Sequence, residues 1–200
     1  MEKLLLSEPS LPYVPTGWVY YFALRSKTVT IRAVPMQNLS IFKQAIGLVV
    51  CLLIVYTTAS IGAIASATAG EFYQSLVRPD WAPPGWLFGP VWTLLYTMIG
   101  VATWLIWRKS GIIGATRAHL LNGAQLVANA LWSWLFFQWN LGALAFIEIL
   151  GLWILIALTI RHFWKINRIA GGLLIPYLLW VTFASLLAYT TWQLNPDILS

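Results

Sequence analysis

The chain has 200 residues, of which 60% are hydrophobic and only 9% charged, and its net charge is +6. Soluble domains carry about 25% charged residues, so this composition excludes an ordinary soluble domain and points to a membrane protein. The basic residues are scattered between apolar runs rather than clustered on one soluble face, which argues against nucleic acid as a partner. Cys51 is the single cysteine and lies inside an apolar run, so it serves no disulfide framework within the chain and reads as a small buried hydrophobe.

Residues 1–40 differ from the rest, with prolines at 9, 12, 15 and 35 and the basic residues Lys3, Arg25, Lys27 and Arg32. Their apolar part, Val14 to Leu24, is shorter than the roughly 20 residues a bilayer-spanning helix needs, and it lacks the flanks of a signal peptide. The expectation is a poorly ordered or interfacial extension over 1–40, followed by a transmembrane domain over 41–200. Met36 is an alternative start that would leave every span intact.

The first predicted span runs from Ala45 to Gly70 and is free of charge. Thr58, Gly62, Ser66 and Gly70 recur in it at a spacing of four, a pattern that lets helices approach closely in lipid. Residues 79–92 then hold four prolines and three tryptophans. Proline fixes φ and removes a donor, so Pro79 to Pro84 form a stiff loop, and a helix begins near Pro84 or Gly85. Trp81 and Trp86 lie in or beside that loop, whereas Trp92 and Tyr96 fall i, i+4 on the helix and share a face. The cluster reads either as an interfacial aromatic belt or as a lid over an apolar pocket.

The second span continues to Trp107 and stops at Arg108-Lys109. The third covers Leu120 to about Trp139, with Gln125, Asn129, Trp132 and Phe136 at helical spacing, either a pocket wall or an interhelical hydrogen-bonding face. A short turn at Trp139-Asn140 leads to the fourth span, Leu141 to Ile160, which carries Glu148, the only acidic residue within a span. A carboxyl group in hydrocarbon turns inward or toward a partner, either as a ligand or proton site or as an interhelical contact. The fifth span covers about Ala170 to Leu194, and Tyr177, Trp180, Ala184, Leu187 and Ala188 share one of its faces. Small Ala184 and Ala188 between aromatics either leave room for a flat ligand or let helices pack closely. His119 and His162 sit at span ends, and no metal-ligand spacing, phosphate-binding loop or Ser/His/Asp arrangement is present.

Five spans make an all-α integral membrane bundle with the N-terminus and the 2–3 and 4–5 loops on one side. Those segments carry eleven of the twelve basic residues, leaving only Arg78 on the other side. The bias predicts a cytoplasmic N-terminus, with the C-terminus and the Pro/Trp loop on the non-cytoplasmic face.

Three stretches resemble the TspO/MBR family of tryptophan-rich sensory proteins and translocator proteins, also called peripheral-type benzodiazepine receptors. They are Pro79-x-Trp81-x-Pro83-Pro84-x-Trp86-x-x-Gly89-Pro90-Val91-Trp92-x-x-Leu95-Tyr96, then Asn129-x-x-Trp132-x-x-x-Phe136-Phe137, then Pro176-Tyr177-Leu178-x-Trp180-x-x-Phe183-Ala184. The resemblance covers about residues 45 to 195. It implies a five-transmembrane-helix bundle, commonly a homodimer, with a pocket under the first long loop. Family members bind porphyrins such as protoporphyrin IX and haem, as well as sterols and isoquinoline-type drugs, and bacterial members are tied to tetrapyrrole handling and stress.

Carried onto matching positions, the resemblance implies a pocket of Trp92, Tyr96, Trp132, Phe136, Trp180, Phe183 and Ala184. Asn129 and Glu148 would be polar pocket or helix-contact positions, and Trp81 and Trp86 would form the lid. No cofactor is required, and porphyrin or haem enters as ligand. Some members are reported to degrade porphyrin with light and oxygen, which would give Trp92 and Trp180 a redox role, and a third implied activity is transport of tetrapyrroles or other small hydrophobic molecules. The chain departs from the animal proteins' sterol motif, since Gln193 stands where a basic residue is needed after Tyr189, and the family's Asn is replaced by Ala188.

Overall fold

The computed structural model describes residues 22–25, 28–31, 39–67 and 69–200. The expectations for residues 1–38, Met36 included, lie outside these residues except for a short antiparallel hairpin of β1 (Phe22–Arg25) and β2 (Thr28–Ile31), in which Phe22 pairs with Ile31 and Arg25 with Thr28. The helices follow in order: α1 (Ile41–Ala65), α2 (Ala69–Ser75), α3 (Phe88–Ser110), α4 (Thr116–Ser133), α5 (Gly142–Ile166), α6 (Arg168–Leu173) and α7 (Ile175–Leu194). A 3₁₀ turn over Gly85–Leu87 leads into α3, and a π-helical stretch over Trp134–Gln138 extends α4.

Among the described residues four helices are long and apolar enough to cross a membrane: α1, α3 with its 3₁₀ turn, α5, and α6 continued by α7. At 1.5 Å per residue, the 25 residues of α1 or α5 reach roughly 37 Å, more than the ~30 Å hydrocarbon core. α4 is not one of the four, because Asn122, Gln125 and Asn129 interrupt its apolar character. Those three amides are buried, while Leu120, Val127 and Leu131 of the same helix are exposed. The polar residues of α4 thus face the bundle and its apolar residues face out, the reverse of a soluble amphipathic helix.

Two helices end where local chemistry breaks them. The first span was expected to reach Gly70, yet α1 stops at Ala65, where Ser66 turns its N–H onto the Gly62 and Ala63 carbonyls. The small residues that follow supply little apolar area to hold a helix in register. The expected fifth span is likewise two helices. Pro176 has no N–H to continue the ladder, so Leu174 closes α6 with a bond to Gly171 O and α7 starts beside it. The α4–α5 reversal turns on Asn140, whose φ of 55° is the left-handed region that Asn tolerates better than most residues.

The principal core, with Val55, Ile99, Leu152, Ile156, Phe163 and Val181, runs through the bundle between α1, α3, α5 and α7. A smaller cluster of Leu76, Phe136, Ala145, Ala188 and Leu199 lies beneath the Pro/Trp loop. α1 and α3 approach closely at Gly100, where an added Cβ would lie 2.7 Å from Leu52 Cδ2. At the opposite end from the loop, Trp104 Nε1 donates to Gln44 O at 3.0 Å and Lys109 Nζ to the Ile166 carbonyl. This collects Lys43, Arg108, Lys109, Arg117, Arg161, Lys165 and Arg168 around one end of the bundle. His119 sits there too, its Nε2 3.3 Å from Gly111 O.

Candidate functional site: an aromatic cavity beneath the Pro/Trp loop

A cavity of about 540 Å³ lies between α1, α2, α3, α4 with its π-stretch, and α7. That volume falls in the range of sites for drug-sized ligands. Its lining comes from the part of each helix nearest the loop: from Tyr56 onward on α1, down to Tyr96 on α3, from Asn129 on α4 and from Trp180 on α7.

Trp92 and Tyr96 project together, ring centroids 5.5 Å apart, as their i, i+4 spacing dictates. Trp92 also meets Tyr177 edge-on at 6.2 Å. On α4, Trp132 stacks on Phe136 at 5.2 Å with 14° between the planes, and Phe137 stands edge-on to both rings. An ordinary α-helix would turn Phe137 100° away from Phe136. The π-stretch, closed by Trp139 N to Trp134 O, widens the turn so that both rings line the cavity. On α7, Trp180 meets Phe88 edge-on at 5.9 Å, and small Ala184 and Ala188 leave the space that the cavity occupies.

The deep end is polar and ordered. The Tyr96 hydroxyl donates to Asn129 Oδ1, and Asn129 Nδ2 donates to the Tyr177 hydroxyl at 3.1 Å. Tyr177 donates in turn to Gln125 Oε1 at 2.9 Å, Gln125 Nε2 to Asn122 Oδ1 at 3.2 Å, and Asn122 Nδ2 to Thr103 Oγ1 at 3.1 Å. Every donor in this chain points away from the cavity. Buried amides and phenols are costly in an apolar interior unless paired, and this arrangement pairs each with the next.

The loop over the cavity is tied at both ends. Tyr73 donates to Pro83 O at 3.1 Å, and burial raises its hydroxyl above the ordinary value of 10, with nearby Arg78 opposing, so it stays a donor. Arg78 lies over the Tyr73 ring, 4.8 Å from its centroid. Asn195, just past α7, exchanges two bonds of 2.8 Å with Val77, accepting from its N–H and donating to its C=O.

Of the sequence-predicted residues, Trp92, Tyr96, Asn129, Trp132, Phe136, Trp180 and Ala184 come together on the cavity wall. Phe183 does not line it; its ring packs behind Trp180 and edge-on to Trp81 at 5.9 Å. Trp81 and Trp86 are also off the wall, 50% and 72% exposed in the loop. No residue of α5 lines the cavity, so Glu148 stands apart from it, with a buried Oε2 that has no hydrogen-bond partner. Sequence reasoning missed Tyr56, Tyr73, Thr191 and Asn195. Tyr56 had a local signal, a phenol within an uncharged span, but the partners of Tyr73 and Asn195 are fixed only by the folded chain.

These features define a polytopic helical membrane protein with an aromatic cavity roofed by a proline-stiffened loop. The chain belongs to the TspO/MBR family, which it matches over residues 45–193. It is 41% identical over 133 residues to the tryptophan-rich protein TspO of Chlorobaculum tepidum, covering 64% of this chain and 82% of that protein. Similarity extends to the tryptophan-rich sensory protein of Cereibacter sphaeroides, 34% identical over 125 residues (62% and 77% of the two chains). The human translocator protein is 33% identical over 129 residues, covering 62% of this chain and 75% of its own.

Proposed function

We propose that this protein binds a tetrapyrrole, porphyrin or haem, within the membrane, and acts in its sensing, scavenging or translocation. The observation that carries the reading is the cavity wall: Trp92, Trp132 and Trp180 stand around a space large enough for a flat multi-ring ligand. Offset or edge contacts between aromatic rings contribute about 0.5–1.5 kcal/mol each beyond burial, so a few such contacts support micromolar binding. Tyr96, Asn129, Phe136 and Ala184 complete the ligand site in this reading, and Trp81 and Trp86 belong to its roof. Tyr56, Ser60 and Thr93 are lining residues that are also exposed, so the ligand reaches the cavity from the hydrocarbon between α1 and α3.

The same reading makes α4 with its π-stretch a fifth span. Its 23 residues from Thr116 to Gln138 reach roughly 34 Å, and its amides are spared contact with lipid by facing inward. The basic end is then cytoplasmic and the roofed cavity lies in the outer half of the bilayer. The protein works as a homodimer. Gly62 on α1 is already taken up by Ser133 of the same chain, whereas Gly123 on α4 has nothing near an added Cβ, so α4 offers the seam.

The test is a titration of purified protein with protoporphyrin IX, haem and a sterol, followed by tryptophan quenching. The combined Trp92→Ala and Trp180→Ala variant is expected to bind the porphyrins tenfold or more weakly, a roughly two-contact loss on the aromatic scale. Unchanged affinity in that variant would place the ligand elsewhere and remove the reading.

A further inference from the structure

The end of the bundle opposite the loop gathers seven basic residues, and among the described residues it holds no acidic one. Glu71 lies on α2, Asp80 in the loop and Asp197 past α7, while Glu148 is in the first third of α5, nearer the loop. A basic bias on one side is ordinary in membrane proteins, so the count alone names no partner. Three of the seven, however, are brought to a single corner. α6 packs against both α3 and α5. Lys109, at the end of α3, donates through Nζ to the Ile166 carbonyl at the end of α5, and Lys165 and Arg168 flank that carbonyl in sequence. All three cations are exposed. An ammonium has three donors, so one bond to a neutral carbonyl leaves the charge of Lys109 uncompensated. Asn167, between them, is committed to the N–H groups of Ile169 and Ala170.

The apolar residues of the same end fix the kind of partner. Trp164 lies against Gly171, where an added Cβ would come within 2.8 Å of its ring, yet the side chain stays exposed. Ile169 on α6, and Ile112 and Ile113 between α3 and α4, are half or more exposed. Isoleucines left in water beside lysines bury nothing. At the boundary of headgroups and acyl chains the cations meet phosphate while the isoleucines and the indole meet methylenes. We propose that Lys109, Lys165 and Arg168, with Trp164 and Ile169, form a headgroup site for an anionic phospholipid where α3, α5 and α6 meet. The lipid phosphate lies among the three cations in charge-assisted hydrogen bonds, and the acyl chains descend beside Trp164. The site is at the far end from the aromatic cavity and needs only the chain's place in a membrane, so it stands independently of the tetrapyrrole reading.

The experiment titrates the full-length protein in detergent with phosphatidylglycerol or phosphatidylcholine of identical acyl chains, and native mass spectrometry counts the lipids retained. Wild type is expected to hold its first phosphatidylglycerol roughly tenfold more tightly than phosphatidylcholine, since each basic residue near an anionic headgroup contributes about fivefold and salt screens part of it. The K109Q/K165Q/R168Q variant is expected to bind the two lipids within about twofold of each other. K165Q/R168Q keeps the Lys109 bond to Ile166, which guards against loss of fold, and is expected to lose roughly fivefold for phosphatidylglycerol alone. K43Q/R117Q removes two charges from the same end but not from the corner, and is expected to keep the preference. Equal wild-type affinity for the two lipids would overturn the site and leave the patch to an acidic soluble partner. A loss in K43Q/R117Q as large as in the triple variant would also overturn it, since a diffuse field and not the corner would then attract the lipid. Displacement of phosphatidylglycerol by inorganic phosphate would assign the cations to a free anion instead.

Discussion

Tyr177 shows how one side chain serves both the fold and the site. It is 1% exposed, accepts from Asn129 and donates to Gln125, and its ring meets Trp92. Replacing it with Phe keeps the ring and removes only the hydroxyl. Asn129 Nδ2 and Gln125 Oε1 then lose their shared partner in a dry interior. Tyr177→Phe is expected to cost about 1–2 kcal/mol, less than a fully orphaned pair because interhelical hydrogen bonds in membranes are individually modest. The measurement is thermal unfolding in detergent, and an unchanged midpoint would show that the chain of amides does not hold the bundle. Contrast Glu148, which the sequence singles out as the lone acidic residue of a span. Its position on α5 keeps it off the cavity wall, and its Oε2 makes no hydrogen bond to the polar chain. Helical spacing marked Tyr177 and residue type marked Glu148, but only the packing separates their roles.

At the level of elements, much was legible because the signals are local. Pro79 to Pro84 forbid a helix, and i, i+4 spacing puts Trp92 beside Tyr96, whatever the rest of the chain does. Harder to read were the end of α1 at Ala65 and the π-stretch after Ser133, which depend on how carbonyls are shared within a turn. The loop's anchorage was not legible at all, since Asn195 and Val77 are 118 residues apart. Yet that anchorage decides how firmly the cavity is roofed. Asn195→Ala removes both bonds to Val77 and a third, at 2.7 Å, to Thr191 O. We expect amide hydrogen exchange at Val77 and across the non-proline residues of the loop to speed up roughly tenfold or more, with the amides of α5 unaffected. Uniform acceleration through the bundle would instead show that the roof and the core open as one unit.

For the molecule as a whole, charge and polarity give opposing signals about α4, and geometry reconciles them. Its amides deny it the composition of a lipid-facing span, yet without it the basic loops would not fall on one side. The helix runs from the basic end, beside Arg108 and Lys109, to the roofed end, where an added Cβ on Gly142 at the start of α5 would lie 2.6 Å from Trp192 and 2.9 Å from Leu199. On the proposed five-span reading, an element that joins the two ends of the bundle crosses the same distance as its membrane-length helices. This argument yields a test of span count and orientation together. With Cys51 replaced by Ala, single cysteines go in as Asp80→Cys, Lys109→Cys and Trp139→Cys, and intact cells or right-side-out vesicles are treated with an impermeant maleimide. If α3 and α4 both cross, positions 80 and 139 label from outside and position 109 labels only after permeabilisation. If position 139 behaves like position 109, α4 does not cross and the five-span reading goes. If all three patterns invert, the count stands and the cavity opens toward the cytoplasm, which would reverse the side from which a tetrapyrrole is met.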